Sequence, residues 1–175
     1  ASHYLLVDSN LEVLEGHGQP NPANRFHLHV YGARPDINAI VHTHPKYCSA
    51  ISLLGEPLHV AHMDTAALYD DVAYLARWPG IPFGDEEGEI ISSAIGQKSA
   101  ILLAHHGQLS VGPTVEAACV LGVTMERAAE MHLLARAAGD LNAIEPELGR
   151  EAHDWRHNPR MVSMTFDYYG RRAMG

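Results

Sequence analysis

Two stretches of the sequence share one pattern, a short apolar run that ends in histidines. Residues 39–44 are Ala-Ile-Val-His-Thr-His, and residues 100–107 are Ala-Ile-Leu-Leu-Ala-His-His-Gly. A short apolar run bounded by polar or turn residues is typical of a buried strand. We therefore expect two strands of one central sheet, each of which delivers histidines to the edge where it ends.

Length and composition restrict the protein class. The chain has 175 residues, of which 46% are hydrophobic, and its 12 basic and 21 acidic side chains give a net charge of −9. This length suffices for a buried core in one domain. The acidic balance argues against a nucleic-acid partner. No apolar run approaches the ~20 residues of a membrane span, so we also expect no membrane partner.

Helices and further strands are predicted around these two runs. The clearest helix begins after the N-cap Thr114 and ends near Ala138, with Gly139 as its C-cap. Shorter helices are predicted at Arg25–Ala33, Pro45–Leu54 and Glu86–Ile95. Additional strands are predicted at Tyr4–Val7, Glu12–Leu14, Leu58–Ala61, Leu109–Val111 and Met161–Phe166. This mixture predicts one α/β or α+β domain over residues 1–175.

The histidines that follow the two apolar runs have the composition of a metal site. His42 and His44 are two residues apart on an extended chain, so their side chains point the same way. His105 and His106 end the second run, and either can complete a set of three imidazoles. Three neutral imidazoles and an open position are characteristic of a catalytic Zn²⁺ site. The alternative is that these histidines only cap strands and bond to backbone carbonyls.

The other histidines and both cysteines receive structural interpretations. His132 is expected to be partly exposed on the long helix, and His153 and His157 to lie in a polar tail. Cys48 and Cys119 do not form a disulfide framework, which favours a reducing cytoplasm. Cys48 lies on the apolar face of a predicted helix, where we expect an inert buried thiol.

Three segments together resemble the class II aldolase and adducin family. They are Arg-Phe-His-Leu-His at residues 25–29, the run from Ala-Arg-Pro-Asp to His-Thr-His at residues 33–44, and residues 100–112. The resemblance covers roughly residues 22–138. It implies a three-layer α/β/α sandwich with a mainly antiparallel central sheet, and a homotetramer with active sites between subunits. It also implies that His42, His44 and His106 bind a divalent metal, Zn²⁺ in first place and Mn²⁺ in second.

The chain departs from the aldolases of this family at two positions. Ala23 stands where they carry a glutamate that handles protons, and Met63 lies near the position of a tyrosine that protonates the leaving aldehyde. The family's phosphate-binding loops lie upstream of the matched region, so we expect a domain that lacks the N-terminal segment. Residues 72–88 look closest to the adducin-like branch.

The resemblance implies a metal-dependent carbon–carbon lyase that works through a metal-stabilised enolate. The reaction is either decarboxylation of a hydroxy-acid or retro-aldol cleavage. The substrate is a small molecule, namely a hydroxy-acid, a ketose or a hydroxylated aromatic acid. His27, His105 and Tyr169 are the candidate catalytic residues. A sugar-phosphate epimerase and a non-catalytic adducin-like assembly module are the alternatives.

Overall fold

The structure is a computed structural model that describes residues 4–80 and 85–175. The strands are β1 (Leu6–Val7), β2 (Val13–Glu15), β3 (Ala39–Thr43), β4 (Val72–Leu75), β5 (Ala100–Leu103) and β6 (Gly107–Gly112). The helices are α1 (Asn24–Ala33), α2 (Lys46–Ile51), α3 (Glu86–Ile95), α4 (Val115–Ala138), α5 (Pro146–Arg156) and α6 (Pro159–Met174). A 3₁₀ segment occupies Met63–Leu68.

The chain divides into two compact units. The first unit comprises Ala1–Pro35 and Pro79–Ser93, and the second comprises Asp36–Trp78 and Ala94–Gly175. In the first unit β1 and β2 pair antiparallel, in agreement with the strands predicted at Tyr4–Val7 and Glu12–Leu14. The Pro-Gly-Ile-Pro sequence at residues 79–82 predicts an irregular segment, of which residues 81–82 lie outside the described residues. The single domain over residues 1–175 stays a prediction.

The second unit is built on a four-stranded sheet in the order β3-β6-β5-β4. The β3–β6 and β6–β5 pairs are antiparallel, whereas β4 and β5 are parallel. The α/β class is therefore confirmed, but the sheet is mixed, and a mainly antiparallel sheet is not confirmed. The physical reason is the connection from β4 to β5, which contains α3 and returns the chain in the same direction.

The core of the second unit lies between this sheet and the helices α2 and α4. All residues of β5 and β6 are buried. Cys48 and Ile51 on α2 and Met125 on α4 are fully buried in the same cluster as Leu102 of β5. The two central strands, β5 and β6, are therefore buried, and the histidine motifs lie at the ends of β3 and β5.

The long helix α4 follows the prediction closely. The Thr114 side chain accepts a hydrogen bond from the Ala117 backbone N–H at 3.2 Å, and Gly139 is the C-cap. His132 on α4 corrects the sequence interpretation, since it is only 3% exposed. Its Nδ1 accepts the backbone N–H of His59 at 3.1 Å, which gives this buried ring a polar partner.

Two predicted strands are wrong. Residues 58–61 form no strand, and the chain instead enters the 3₁₀ segment, where the His62 side chain accepts the Asp64 backbone N–H at 3.1 Å. Residues 161–166 belong to α6, which begins at Pro159 after the Asn158 side chain accepts the Arg160 backbone N–H. The capping asparagine and N1 proline outweigh the β-branched residues in this segment. Over the described ranges, no helix is both long and apolar enough to cross a membrane.

Candidate metal centre

His42, His44 and His106 lie together at one edge of the sheet. His42 is in β3, His44 follows β3 directly, and His106 lies in the turn between β5 and β6. Their ring centroids are 4.9, 4.9 and 4.6 Å apart in the three pairings. One ligand nitrogen from each ring lies within 4.8 Å of the other two. The strand order β3-β6-β5 explains why the three rings lie close together. β6 pairs with both β3 and β5, so the end of β3 that carries His42 lies near the turn that carries His106.

The turn that carries His106 has an unusual backbone. Residues 104–106 connect β5 to β6, and His105 adopts a left-handed conformation with φ of 56°. A residue other than glycine in this region carries about 1–2 kcal/mol of strain. The His105 backbone N–H donates to the Ser52 carbonyl at 3.1 Å, which holds the strained residue in place. This conformation leaves the His105 side chain exposed while His106 is half-buried in the cluster.

Gly107 allows the two histidine motifs to approach each other. A Cβ at Gly107 would lie 2.6 Å from the Thr43 carbonyl oxygen and 2.8 Å from Cδ2 of His44. Both distances are shorter than real Cβ contacts. The glycine is therefore required by close packing of the backbone at the site.

Hydrogen bonding sets the protonation of the cluster. Nδ1 of His42 lies 2.9 Å from the Gln108 carbonyl oxygen, which can only accept, so Nδ1 carries the proton. Nε2 of His42 then presents its lone pair, 3.0 Å from Nε2 of His44. Burial, followed by the charge of His44, lowers the pKa of His106. The neutral forms of these rings are the forms that bind metals.

The three nitrogens fit a divalent transition metal. Zn–N bonds of about 2.0–2.1 Å in tetrahedral geometry place neighbouring ligand atoms roughly 3.3 Å apart. The His42–His44 nitrogen distance of 3.0 Å is close to this spacing. A metal-binding histidine characteristically donates its second ring N–H to a carbonyl or carboxylate, as His42 does to Gln108. The donor set therefore suits a three-histidine site with an open fourth position.

Two supporting residues were missed by the sequence analysis. The buried Gln108 side chain donates to Thr43 Oγ1 and to the Gly122 carbonyl, both at 3.0 Å, and so links β3, β6 and α4. The Glu126 carboxylate on α4 accepts the backbone N–H groups of Tyr47 at 2.9 Å and Cys48 at 2.8 Å. A lone glutamine in an apolar strand was a readable signal for Gln108. Glu126 gave no signal, because its partners lie 78 and 79 residues away.

The three candidate catalytic residues lie on different elements of the structure. His105 adjoins the cluster in sequence, but its side chain is exposed. Tyr169 is on α6, where its ring lies 5.4 Å from that of Tyr168. His27 is on α1 and belongs to the first unit, whereas His42, His44 and His106 belong to the second. Burial lowers the pKa of His27 to about 4.

The sheet and its three-histidine cluster define an α/β protein with the side chains of a metal centre. The chain belongs to the class II aldolase and adducin family: the profile described as "Class II Aldolase and Adducin N-terminal domain" matches residues 1–133. The predicted family is thereby confirmed.

The names of the relatives describe more than one enzyme activity. An L-fuculose phosphate aldolase of Escherichia coli O6:H1 is 34% identical over 140 residues, which is 79% of this chain and 64% of that protein. The decarboxylase NovR of Streptomyces niveus is 30% identical over 79% of this chain and 52% of its own length. The solved L-fuculose 1-phosphate aldolase from Glaciozyma antarctica PI12 matches 94% of this chain and 65% of that chain, with 30% identity and a TM-score of 0.83. The chain thus spans between about half and two thirds of the length of these relatives.

Proposed function

We propose that this protein is a metal-dependent carbon–carbon lyase. The observation that carries the proposal is the cluster of His42, His44 and His106, whose ligand nitrogens lie within 4.8 Å of one another in a chain of this family. The Gln108 carbonyl orients His42, and Gly107 allows His44 to approach, so the protein's own contacts position the cluster. A non-catalytic assembly module would not need this arrangement.

The proposed cofactor is one divalent ion, with Zn²⁺ ahead of Mn²⁺. Three imidazoles suit several divalent metals, and Zn²⁺ is the usual occupant of a three-histidine catalytic site. When bound, such an ion acts as a Lewis acid that stabilises the negative charge developed as a bond next to a carbonyl breaks. The three histidines hold it and leave one side open to a small-molecule substrate.

Residue 23 favours decarboxylation over sugar aldol cleavage. Ala23 is the N-cap of α1, and its backbone N–H donates to the Asn21 side chain at 3.0 Å, but its methyl group cannot move a proton. Retro-aldol cleavage needs a base for the substrate hydroxyl, whereas decarboxylation needs only an acid that reprotonates the carbanion. One relative of this chain is named as a decarboxylase, NovR, which supports this preference. The proposed substrate is therefore a hydroxy-acid or a hydroxylated aromatic acid, with a ketose as the alternative.

Proton transfer is assigned to His105 or Tyr169 ahead of His27. The exposed His105 adjoins the ligand His106, and its imidazole is free to meet a substrate. Tyr169 lies on α6 near the end of the chain, where it is available to a site of its own or of a neighbouring copy. His27 has a pKa of about 4, so it is neutral near pH 7 and is a weak proton donor.

The remaining parts of the proposal concern assembly and location. We expect a homotetramer with sites between subunits, a sheet that acts as the middle layer of an α/β/α sandwich, and a cytoplasmic protein with no membrane or nucleic-acid partner. The two cysteines are free, as a reducing compartment requires. Light scattering after size-exclusion chromatography tests the tetramer. A tetramer should have about four times the mass of the 19.1 kDa chain.

A substrate screen with matched variants tests the activity. The Zn²⁺-loaded protein is incubated with hydroxy-acids, hydroxylated aromatic acids and ketose phosphates, while CO₂ and aldehyde release are followed separately. We expect CO₂ release from one acid, its loss in His44→Ala, and no gain of CO₂ release in Ala23→Glu. Aldehyde release that rises in Ala23→Glu would instead assign aldol cleavage. Interconversion of ketose phosphates without release of either product would assign an epimerase.

His105 is tested with a variant that keeps the turn. His105→Gly removes the imidazole but accepts the left-handed backbone, so metal binding is expected to be unchanged while turnover falls. Wild-type turnover in His105→Gly would remove His105 from the proton-transfer step. Full activity of the wild type without metal, or no turnover with full metal loading across the screen, would contradict the lyase proposal.

A further inference from the structure

A second pair of histidines lies on α5, away from the metal cluster described above. His153 is on α5 and His157 directly follows the helix as its C-cap. Residues four apart lie on the same face of a helix, and the two rings have centroids 4.3 Å apart. The sequence alone predicts only that both histidines lie in a polar tail.

Close packing of α5 aims this face at the segment before β4. Gly149 lies one helical turn before His153, and a Cβ there would be 2.5 Å from atoms of the Tyr69 ring. The helix therefore lies so near to residue 69 that a side chain at residue 149 would force the Tyr69 ring to move. One and two turns further along the same face, His153 and His157 meet Asp71.

The Asp71 carboxylate is fixed by the sheet. Its Oδ1 accepts the Ser99 backbone N–H at 2.9 Å, and the Asp71 carbonyl accepts the Ala100 backbone N–H at 3.2 Å. Only 16% of the side chain is exposed. The second oxygen, Oδ2, lies 3.3 Å from Nε2 of His153 and 4.0 Å from Nε2 of His157.

A second carboxylate orients His153. Nδ1 of His153 lies 2.9 Å from Oδ1 of Asp154, so the neutral tautomer that keeps this shorter contact carries its proton on Nδ1. In the neutral ring, Nε2 then directs a lone pair at the Asp71 oxygen, another acceptor, 3.3 Å away. Two acceptors at this distance need a proton or a cation between them. A carboxylate that holds the far nitrogen of the ring is the usual companion of a metal-binding histidine.

We propose that Asp71, His153 and His157 bind a second divalent transition-metal ion. One ligand atom from each side chain lies within 4.8 Å of the other two. The 3.3 Å between Asp71 Oδ2 and His153 Nε2 equals the ligand spacing of about 3.3 Å in a tetrahedral Zn²⁺ site. His157 Nε2 currently donates to the Ala67 carbonyl at 2.8 Å, so binding exchanges that hydrogen bond for a metal bond.

The donor set determines the class of ion and the consequence of binding. Two imidazoles and one carboxylate suit Zn²⁺, Co²⁺ or Ni²⁺, whereas Mg²⁺ and Ca²⁺ prefer oxygen ligands throughout. The site shares no residue with the cluster of His42, His44 and His106. Because its ligands come from the C-terminal end of α5 and from the residue before β4, the ion would tie α5 to the sheet. Binding to the folded chain alone stabilises that chain.

Zn²⁺ counting in a background without the first cluster tests the proposal. The triple variant His42→Ala, His44→Ala, His106→Ala is titrated with Zn²⁺ against a chromophoric chelator. We expect about one Zn²⁺ per chain to remain. Adding His153→Gln and His157→Gln should weaken this binding by more than the roughly 10- to 100-fold that loss of an outer-shell partner causes. His17→Gln, at an exposed loop histidine, is the matched control and should change nothing.

Two further measurements keep the test decisive if a variant folds poorly. X-ray absorption of the Zn²⁺-loaded triple variant, in which the second site is intact, should show two imidazole ligands and oxygen ligands. Excess Zn²⁺ should raise the melting temperature of the triple variant but not that of the form that also carries Asp71→Asn. Absence of Zn²⁺ from the triple variant, or Zn²⁺ binding that survives loss of His153 and His157, would overturn the proposal and leave a proton-bearing ion pair.

Discussion

Replacing Gly107 by alanine should damage the proposed metal centre although no proposed ligand is replaced. The new Cβ would lie 2.6 Å from the Thr43 carbonyl oxygen, whereas ordinary contacts begin at 3.4 Å, so the backbones must separate by roughly 0.8 Å. Metal–ligand distances tolerate changes of only about 0.2 Å. Overpacking of this kind costs about 1–3 kcal/mol. We expect Zn²⁺ affinity to fall by about 10- to 100-fold, which corresponds to 1.4–2.8 kcal/mol.

The assay is competitive Zn²⁺ titration, combined with urea denaturation of the metal-free protein. Gly139→Ala is the matched control, because Gly139 has an extended backbone and nothing within 4 Å of its built Cβ. The control should bind Zn²⁺ as the wild type does. Unchanged Zn²⁺ affinity in Gly107→Ala would refute the reasoning that this glycine sets the approach of His44 to His106.

Three further predictions concern packing, capping and pH. Gly149→Ala should lower the free energy of unfolding by about 1–3 kcal/mol in urea denaturation, because its Cβ would meet Tyr69 at 2.5 Å. Alanine normally stabilises a helix, so equal or higher stability would contradict this packing. Glu126→Ala should lower the free energy of unfolding by about 2–3 kcal/mol, because two backbone N–H groups at the start of α2 lose a charged acceptor. Glu126→Gln should lower it by less, and equal losses of stability would argue against a role for the charge. Burial lowers the pKa of His27 from 6.5 to about 4, so the unfolded chain binds more protons between these pH values and stability falls as pH is lowered through them. His27→Gln should remove up to about 3 kcal/mol of that fall between pH 6.5 and 4, and an unchanged pH dependence would contradict it.

The local part of the candidate metal centre could be predicted from the sequence. The spacing of His42 and His44 on a strand and the position of His106 after a second strand each follow from patterns within a few residues. Their meeting required only that the two strands share a sheet. Choosing His106 over His105 depended on the family resemblance, and the left-handed backbone of His105 gives the physical reason for it.

Features that depend on distant packing could not be predicted in this way. His132 is buried, and its Nδ1 accepts a hydrogen bond from the backbone N–H of His59, which lies 73 residues away in the sequence. His153 meets Asp71 across 82 residues, and the packing of α5 on distant segments, such as Gly149 against Tyr69, brings them together. The segment 161–166 contains β-branched residues that favour a strand, but the cap at Asn158 and the proline after it start a helix. In each case a tertiary contact or a cap outweighs local propensity.

The most direct test of the account is anomalous diffraction at the zinc edge from crystals grown with Zn²⁺. The account predicts a peak about 2.0–2.1 Å from one nitrogen of each of His42, His44 and His106. The same peak should be absent from His44→Ala crystals. Zn²⁺ bound elsewhere on the protein with no density among these three rings would contradict the central claim that they form its metal centre.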